Sequence, residues 1–422
     1  MNYSSGSIKE VLIDASNFTQ SRCVFKLSGE MNYLTNMKLT NLGCFAPGGG
    51  TNYNRGAGVL GLIKNIHLLD GSATLSQSRE ANLDSALKNC LGDNDSSISV
   101  KTGLNFNRQG YIFGQYVSPA GTANIVNTGY SSQGYGSGEI GITEAASAKG
   151  TVVLSDLLPI LKVLPMLDTA VFKDGLQLVI EWETDVSKIA TSIANPLTII
   201  QPILCAYEVS DPMLYAQLAI KPGNVSWIER EVDQRPYAAQ TSVTQRFNGF
   251  DNKHVLRFCI VKQLANLALY RVNNNIQGFG PLSSYALLNE SYNMINQGRR
   301  VFPQDISNFD INRQTINAFG DSSVYNGAIQ AAGVDATSLP NYQANLNSRP
   351  GDFTNAFLLP SESGYNGVLM GNVPVRNLEL SLTRDLTNVD GKQNTALNVF
   401  LFGDVPKVMS VASDGSYLIS YV

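Results

Sequence analysis

The sequence predicts an all-β protein made of two similar antiparallel halves, and three observations carry that reading. Its 422 residues exceed what one ordinary hydrophobic core serves. Each half closes on alternating apolar and polar positions. Leu176, Leu178, Ile180 and Trp182 alternate with Gln177, Val179, Glu181 and Glu183, and Leu378, Leu380 and Leu382 with Asn377, Glu379, Ser381 and Thr383. No strand–helix–strand rhythm occurs, which sets aside a parallel α/β enzyme. Composition agrees, since 37 glycines, 15% charged residues and abundant Asn, Ser and Thr suit many strands joined by polar turns.

Taken in order, the chain opens with an arm, Met1 to Ser21, whose "SIKEVLIDASNF" carries Val11, Leu12, Ile13 and Phe18 without a periodic partner nearby. Strands follow in "RCVFKL", "NMKLTNL" and "GVLGLIKNIHLLDGSATL", the last with a hairpin turn at Asp70-Gly71. A helix is expected over "REANLDSALKNCLG", with Leu83, Ala86, Leu87, Cys90 and Leu91 on one stripe and Gly92 as its stop. Val117 to Gly150 then reads as a long Gly- and Ser-rich loop. Strand-like text resumes with "GTVVLSDLLPILKVLPMLD", "GLQLVIEWETD" and "NPLTIIQPILCAYEV".

The second half starts with a connecting segment, "SDPMLYAQLAIKPGNVSWIEREVDQRPYAAQ", and a strand-rich "HVLRFCIVKQLANLALYRV". Its one longer helix is expected in "GPLSSYALLNESYNMINQGRR". A second long loop runs from Asn317 to Asn366, before the strands "VRNLELSLTRD", "ALNVFLFGDVP" and "SYLISYV". The expected division is therefore an arm at 1–21, a first unit at 22–209 and a second at 210–422, with 210–221 as linker.

Little catalytic chemistry is written into this text. A net charge of −4 and the lack of any basic block argue against binding nucleic acid through its phosphates. Gly56, Gly58 and Gly61, and again Gly136, Gly138 and Gly141, match a dinucleotide fingerprint. Neither sits between a strand and a helix, where the motif would meet a pyrophosphate, so no cofactor is expected. His67 and His254 are the only histidines and read as structural, and no ligand spacing suggests a metal.

Glu181 and Glu183 are the best acid/base pair on offer, two apart on a strand and so about 6.5–7 Å apart on one face. A charged outer face explains both without catalysis. The five cysteines (Cys23, Cys44, Cys90, Cys205 and Cys259) are odd in number and widely spaced, as free thiols of a reducing compartment would be. The opening residues lack the pattern of a signal peptide, and no apolar run reaches the length of a membrane span.

"LGLIKNIHLLDGSATLSQ", "VVLSDLLPILKVLPML", "GLQLVIEWETD" and "IIQPILCAYEV", in that order, resemble the first jelly roll of double-jelly-roll major capsid proteins of tailless icosahedral double-stranded DNA viruses. That group includes virophages, polinton-like viruses, large algal viruses and membrane-containing phages. "VRNLELSLTRD" and "ALNVFLFGDVPKVMSVASDGSYLISYV" resemble the second. The resemblance implies two tandem eight-stranded antiparallel sandwiches with short helices and long inter-strand loops. It also implies a structural protein without enzymatic activity, assembled as homotrimeric pseudo-hexagonal capsomers in the virion.

Partners would then be the chain itself, neighbouring capsomers, and penton and minor capsid proteins. An internal membrane surface is a further candidate through the arm, and assembly would take place in the cytoplasm or nucleus of the host cell. Subunit contacts are expected from Val11, Leu12, Ile13 and Phe18, and from Tyr130, Tyr135, Tyr325 and Tyr342 in the long loops. The alternative is a carbohydrate-binding or carbohydrate-cleaving β-sandwich, such as a phage receptor-binding protein.

Overall fold

The computed structural model describes residues 7–45, 52–53, 58–91, 149–191, 197–266, 290–319, 366–387 and 394–422. The expected contact residues Tyr130, Tyr135, Tyr325 and Tyr342 lie outside these, as do nearly all of both long loops and the second glycine motif.

Among the described residues, sixteen strands have five or more residues, eight in each half. The first lobe holds β1 (Ile8–Ile13), β2 (Arg22–Lys26), β3 (Lys38–Phe45), β4 (Ile63–Asp70), β5 (Ala73–Arg79), β6 (Lys149–Val153), β7 (Leu176–Trp182) and β8 (Ile203–Val209). The second holds β9 (Gly223–Tyr237), β10 (Ser242–Phe247), β11 (His254–Leu264), β12 (Ser291–Asn296), β13 (Asn366–Pro374), β14 (Leu378–Thr383), β15 (Leu397–Val411) and β16 (Tyr417–Tyr421). Five helices accompany them: α1 (Ala81–Leu91), α2 (Ile160–Val163), α3 (Val186–Ile189), α4 (Pro212–Leu218) and α5 (Asn308–Phe319).

Among the described residues all the strand pairs are antiparallel. In the first lobe β1, β8, β3 and β6 are neighbours in one sheet and β2, β7, β4 and β5 in the other. In the second, β9, β15, β11 and β13 form one sheet, with β16 beside β15, and β10, β14 and β12 form the other. These are two two-sheet sandwiches in tandem, as the alternation predicts. The β4–β5 hairpin turns at Gly71-Ser72, with Asp70 opposite Ala73. Gly71 has φ +56°, and a Cβ there would lie 2.7 Å from that of Asp174, so a side chain is excluded on both counts.

Four local expectations are corrected. "SYNMIN" is β12 rather than helix: Tyr292 and Met294 point into the core, and Gln297 and Gly298, both at positive φ, turn the chain back to Arg299–Arg300. The long helix of this half is instead α5, whose end approaches β13 so closely that a Cβ on Gly367 would lie 2.7 Å from the Phe319 ring. "LSDLLPILKV" is a 3-10 turn (Leu154–Asp156) followed by α2 rather than strand, and Pro159 caps α2 in αR geometry. The segment "DPMLYAQL", read as connection, forms α4. Asp211 accepts from the Met213 N–H at 2.8 Å and Pro212 occupies the first turn, where its missing N–H costs nothing.

The expected arm is joined to the first sandwich. β1 pairs along its length with β8, from Ile8 opposite Val209 to Ile13 opposite Leu204, and Asn17–Phe18 pairs with β2. Ile13 and Phe18 pack on the main core cluster and Val11 is half-buried, whereas Leu12 is 63% exposed.

Candidate assembly surface and the seam that orients it

The Glu181/Glu183 pair does not share a face. A register shift between Glu181 and Trp182 leaves Glu181 exposed, donated to by Asn65 Nδ2 at 2.7 Å, and turns Glu183 inward. Glu183 accepts from Asn82 Nδ2 at 2.8 Å and from the N–H groups of Thr184 and Asp185 at 3.0 and 2.9 Å, and lies 3.5 Å from Lys188. One carboxylate oxygen of Glu183 thus meets Asn82 of α1 and Lys188 of α3, and the other holds the turn that leads into α3. Among the described residues no cluster of His, Cys, Asp or Glu is arranged to hold a metal.

His67 lies in the middle of β4, half-buried, and burial lowers its proton affinity despite the pull of Glu181. His254 opens β11, with Nδ1 3.1 Å from the Asn372 carbonyl. Cys23, Cys44, Cys205 and Cys259 are buried thiols, and burial pushes Cys23 and Cys259 up to about 12. The side chain of Cys90 lies outside the described residues.

The densest polar construction lies between the lobes. Arg230, Asp404 and Arg257 stand directly opposite one another across β9, β15 and β11. Asp404 accepts from Arg230 Nε at 2.6 Å and Nη2 at 3.2 Å, and from Arg257 Nε at 2.5 Å. Arg230 reaches on to Asp84 of α1 at 3.0 Å, so the row is tied to the first lobe. Burial pushes the Asp404 carboxyl up, but the two guanidinium groups outweigh it and hold it below its ordinary value. Arg257 also donates to the Ala318 carbonyl at the end of α5 and stacks 4.7 Å from the Phe319 ring.

Further along β9, Glu229 accepts from Ser76 of β5 at 2.9 Å, from Trp227 Nε1 at 3.2 Å and from Lys407 at 2.7 Å. At the far end Tyr417 donates to Asp70 at 3.0 Å and meets Phe172 edge-on at 5.4 Å. Apolar packing is continuous across the same boundary: Trp227, Cys259, Val261, Phe400, Phe402, Met409 and Val411 belong to the core cluster of the first lobe. The remaining inner face of the second lobe has its own cluster around Phe250, Phe258 and Leu380.

One outer face departs from the usual polar surface. Ile228, Pro406 and Val422 form a row across β9, β15 and the end of β16, with Leu418 on the same face two rows further along, opposite Ser410. Ile228, Leu418 and Val422 are 51%, 68% and 49% exposed. This patch was not anticipated, although the alternation of "NVSWIERE" places Ile228 opposite in facing to Trp227 and so carries the signal.

Two sandwiches of eight main strands, joined by a short capped helix and sharing a core, define a double-jelly-roll protein. No family model matches the chain and no curated protein matches its sequence. Solved structures do. VP54 of PBCV-1, fitted into a reconstruction of the virophage Sputnik, aligns over 100% of this chain and 98% of its own with a TM-score of 0.59 at 13% identity. The Sputnik virophage structure aligns over 100% and 89% with 0.54 at 11%, and the mavirus major capsid protein over 100% and 91% with 0.52 at 9%. At these identities the shared property is the fold, and it spans the whole chain.

Proposed function

We propose that this chain is a major capsid protein that assembles as a homotrimeric, pseudo-hexagonal capsomer and tiles an icosahedral shell. The observation that carries the reading is the full-length match of both lobes, in order, to the mavirus major capsid protein and to the PBCV-1 and Sputnik structures. A tandem pair of sandwiches gives each subunit two similar lobes, and three subunits then present six corners. On this reading the chain has no catalytic role, in keeping with the inward commitment of Glu183. It resides in the virion after assembly in the host cytoplasm or nucleus.

The exposed row of Ile228, Pro406 and Val422, with Leu418, is assigned to contact with another copy, as is Leu12 on the outer side of β1. Val11, Ile13 and Phe18 support that edge from within rather than reaching out. Neighbouring capsomers, penton and minor proteins, and an internal membrane surface facing β1 complete the set of partners. Native mass measurement tests the proposal: a species of three chains of 45.6 kDa is expected. Ile228→Glu combined with Leu418→Glu should leave a folded chain that no longer forms trimers or shells. A folded wild-type monomer that binds glycans would overturn the capsid reading in favour of a carbohydrate-binding sandwich.

A further inference from the structure

Four polar side chains meet in the dry interior of the second lobe, apart from the seam. Lys262 comes from β11, Asn366 from the start of β13, Glu290 from the residue before β12 and Tyr292 from β12, and none is more than 1% exposed. Asn366 is the register partner of Ile260, so Lys262 lies two residues along on the same face of the adjacent strand. Glu290 and Tyr292 enter from the facing sheet.

The contacts are close. Lys262 Nζ donates to Glu290 Oε2 and to Tyr292 Oη, each at 2.5 Å. Asn366 Nδ2 donates to the same Tyr292 Oη at 2.5 Å and stands 3.5 Å from Glu290 Oε1. Amine and carboxamide thus rest against one hydroxyl and straddle one carboxylate. A charged lysine is costly to bury, and burial lowers the proton affinity of Lys262 against the opposing pull of Glu290. An amine able to surrender its proton is a nucleophile, and the group placed to take that proton is Glu290. Burial and the nearby carboxylate raise the Tyr292 hydroxyl well above its ordinary value, so it stays protonated and serves to align the pair.

We propose that Lys262 and Asn366 join in an intramolecular isopeptide bond, with Glu290 as the acid/base group. Glu290 takes a proton from the Lys262 ammonium, and the free amine attacks Cγ of Asn366. The proton held by Glu290 supports the developing oxyanion and then passes to the departing Nδ2, while the attacking nitrogen gives its second proton to the Glu290 carboxylate so regenerated, which ends protonated. The Cγ–Nδ2 bond breaks, the Cγ–Nζ bond remains, and one ammonia leaves; no oxidant, reductant or other reactant is needed. Exclusion of water removes hydrolysis as a competitor. The other route open to an Asn-Gly pair, attack by the following backbone nitrogen, is held off because Gly367 N donates to the buried Thr315 Oγ1 at 2.8 Å. The product ties β11 to β13 covalently inside one sheet.

Intact mass and peptide mapping of the denatured full-length chain decide the matter. The wild type should be lighter than its sequence by one ammonia, and a protease digest should contain a branched peptide joining Lys262 to Asn366. Lys262→Arg and Glu290→Gln should each restore the full sequence mass and lose the branched peptide. A wild-type chain of full sequence mass overturns the proposal. So does loss of ammonia with an unbranched Asn366 peptide, which would mark cyclisation onto Gly367. Both readings use the wild-type chain alone, so they stand even if a variant fails to fold.

Discussion

Replacing Asp404 with Asn removes the charge at the centre of the Arg230–Asp404–Arg257 row without changing its size. The carboxylate accepts three hydrogen bonds, at 2.6, 3.2 and 2.5 Å, from two guanidinium groups. Bonds to charged partners contribute about 1.5–3 kcal/mol each, and removing one member of a buried ion pair costs about 3–5 kcal/mol. Two features pull the figure to the low end. Asn keeps one oxygen for Arg230, and the Arg257 side chain is 36% exposed, so solvent screens its share.

The expected loss is about 3 kcal/mol in urea unfolding at neutral pH. Because Asp404 is depressed in the folded state, its contribution is complete above the unfolded carboxyl value of about 3.9 and disappears as pH falls through the lower folded value. The variant should therefore lose less stability on acidification than the wild type. A neutral-pH loss below about 1 kcal/mol, the range of an exposed pair such as Arg246–Asp251, would refute the argument.

Three further outcomes follow from packing and burial. Gly403→Ala puts a Cβ 2.6 Å from the Phe250 ring and 2.9 Å from Phe258, and overpacking of that kind should cost about 1–3 kcal/mol by chemical denaturation. Glu183→Gln should cost about 1–3 kcal/mol because it disturbs four contacts, whereas Glu181→Gln should stay within about 0.5 kcal/mol. Cys23 and Cys259 should resist alkylation in the native protein at neutral pH and react fully after unfolding, with mass spectrometry as the readout.

What was legible in the sequence is what neighbouring residues decide among themselves. The hairpin after Asp70 is legible because the positive φ and missing Cβ of Gly71 are local demands, although the turn falls on Gly71-Ser72, one residue beyond the expected Asp70-Gly71. Leu83, Ala86 and Leu87 bury one stripe of α1 because helical spacing is local too. The failures needed information from elsewhere. The apolar residues of "SYALLNESYNMINQG" suit a helix on paper, but β14 offers Tyr292 and Met294 a facing row at Leu382 and Leu380. Glu183 was placed on the wet side by counting in twos, and a single irregularity after Glu181 reversed it. The arm looked unpartnered because its partner, β8, lies almost two hundred residues away. The seam was invisible for the same reason: "Glu229" and "Ser76" are 153 positions apart and carry no pattern in common.

The seam also bears on how the two lobes act. Domains within one chain ordinarily meet through modest, rather polar contacts and move against each other. Here separation would expose Trp227, Phe400, Phe402 and Met409, which complete the core of the other lobe. It would also leave Asp84 without Arg230, and Glu229 without Ser76, in places built to exclude water. The linker is held as well, since Tyr215 donates to Asp168 at 3.2 Å and the Ile220 N–H to the same carboxylate at 3.2 Å. Each way of bending the pair therefore combines an apolar loss with the loss of buried hydrogen bonds. A hinge between the two sandwiches is opposed by both losses at once.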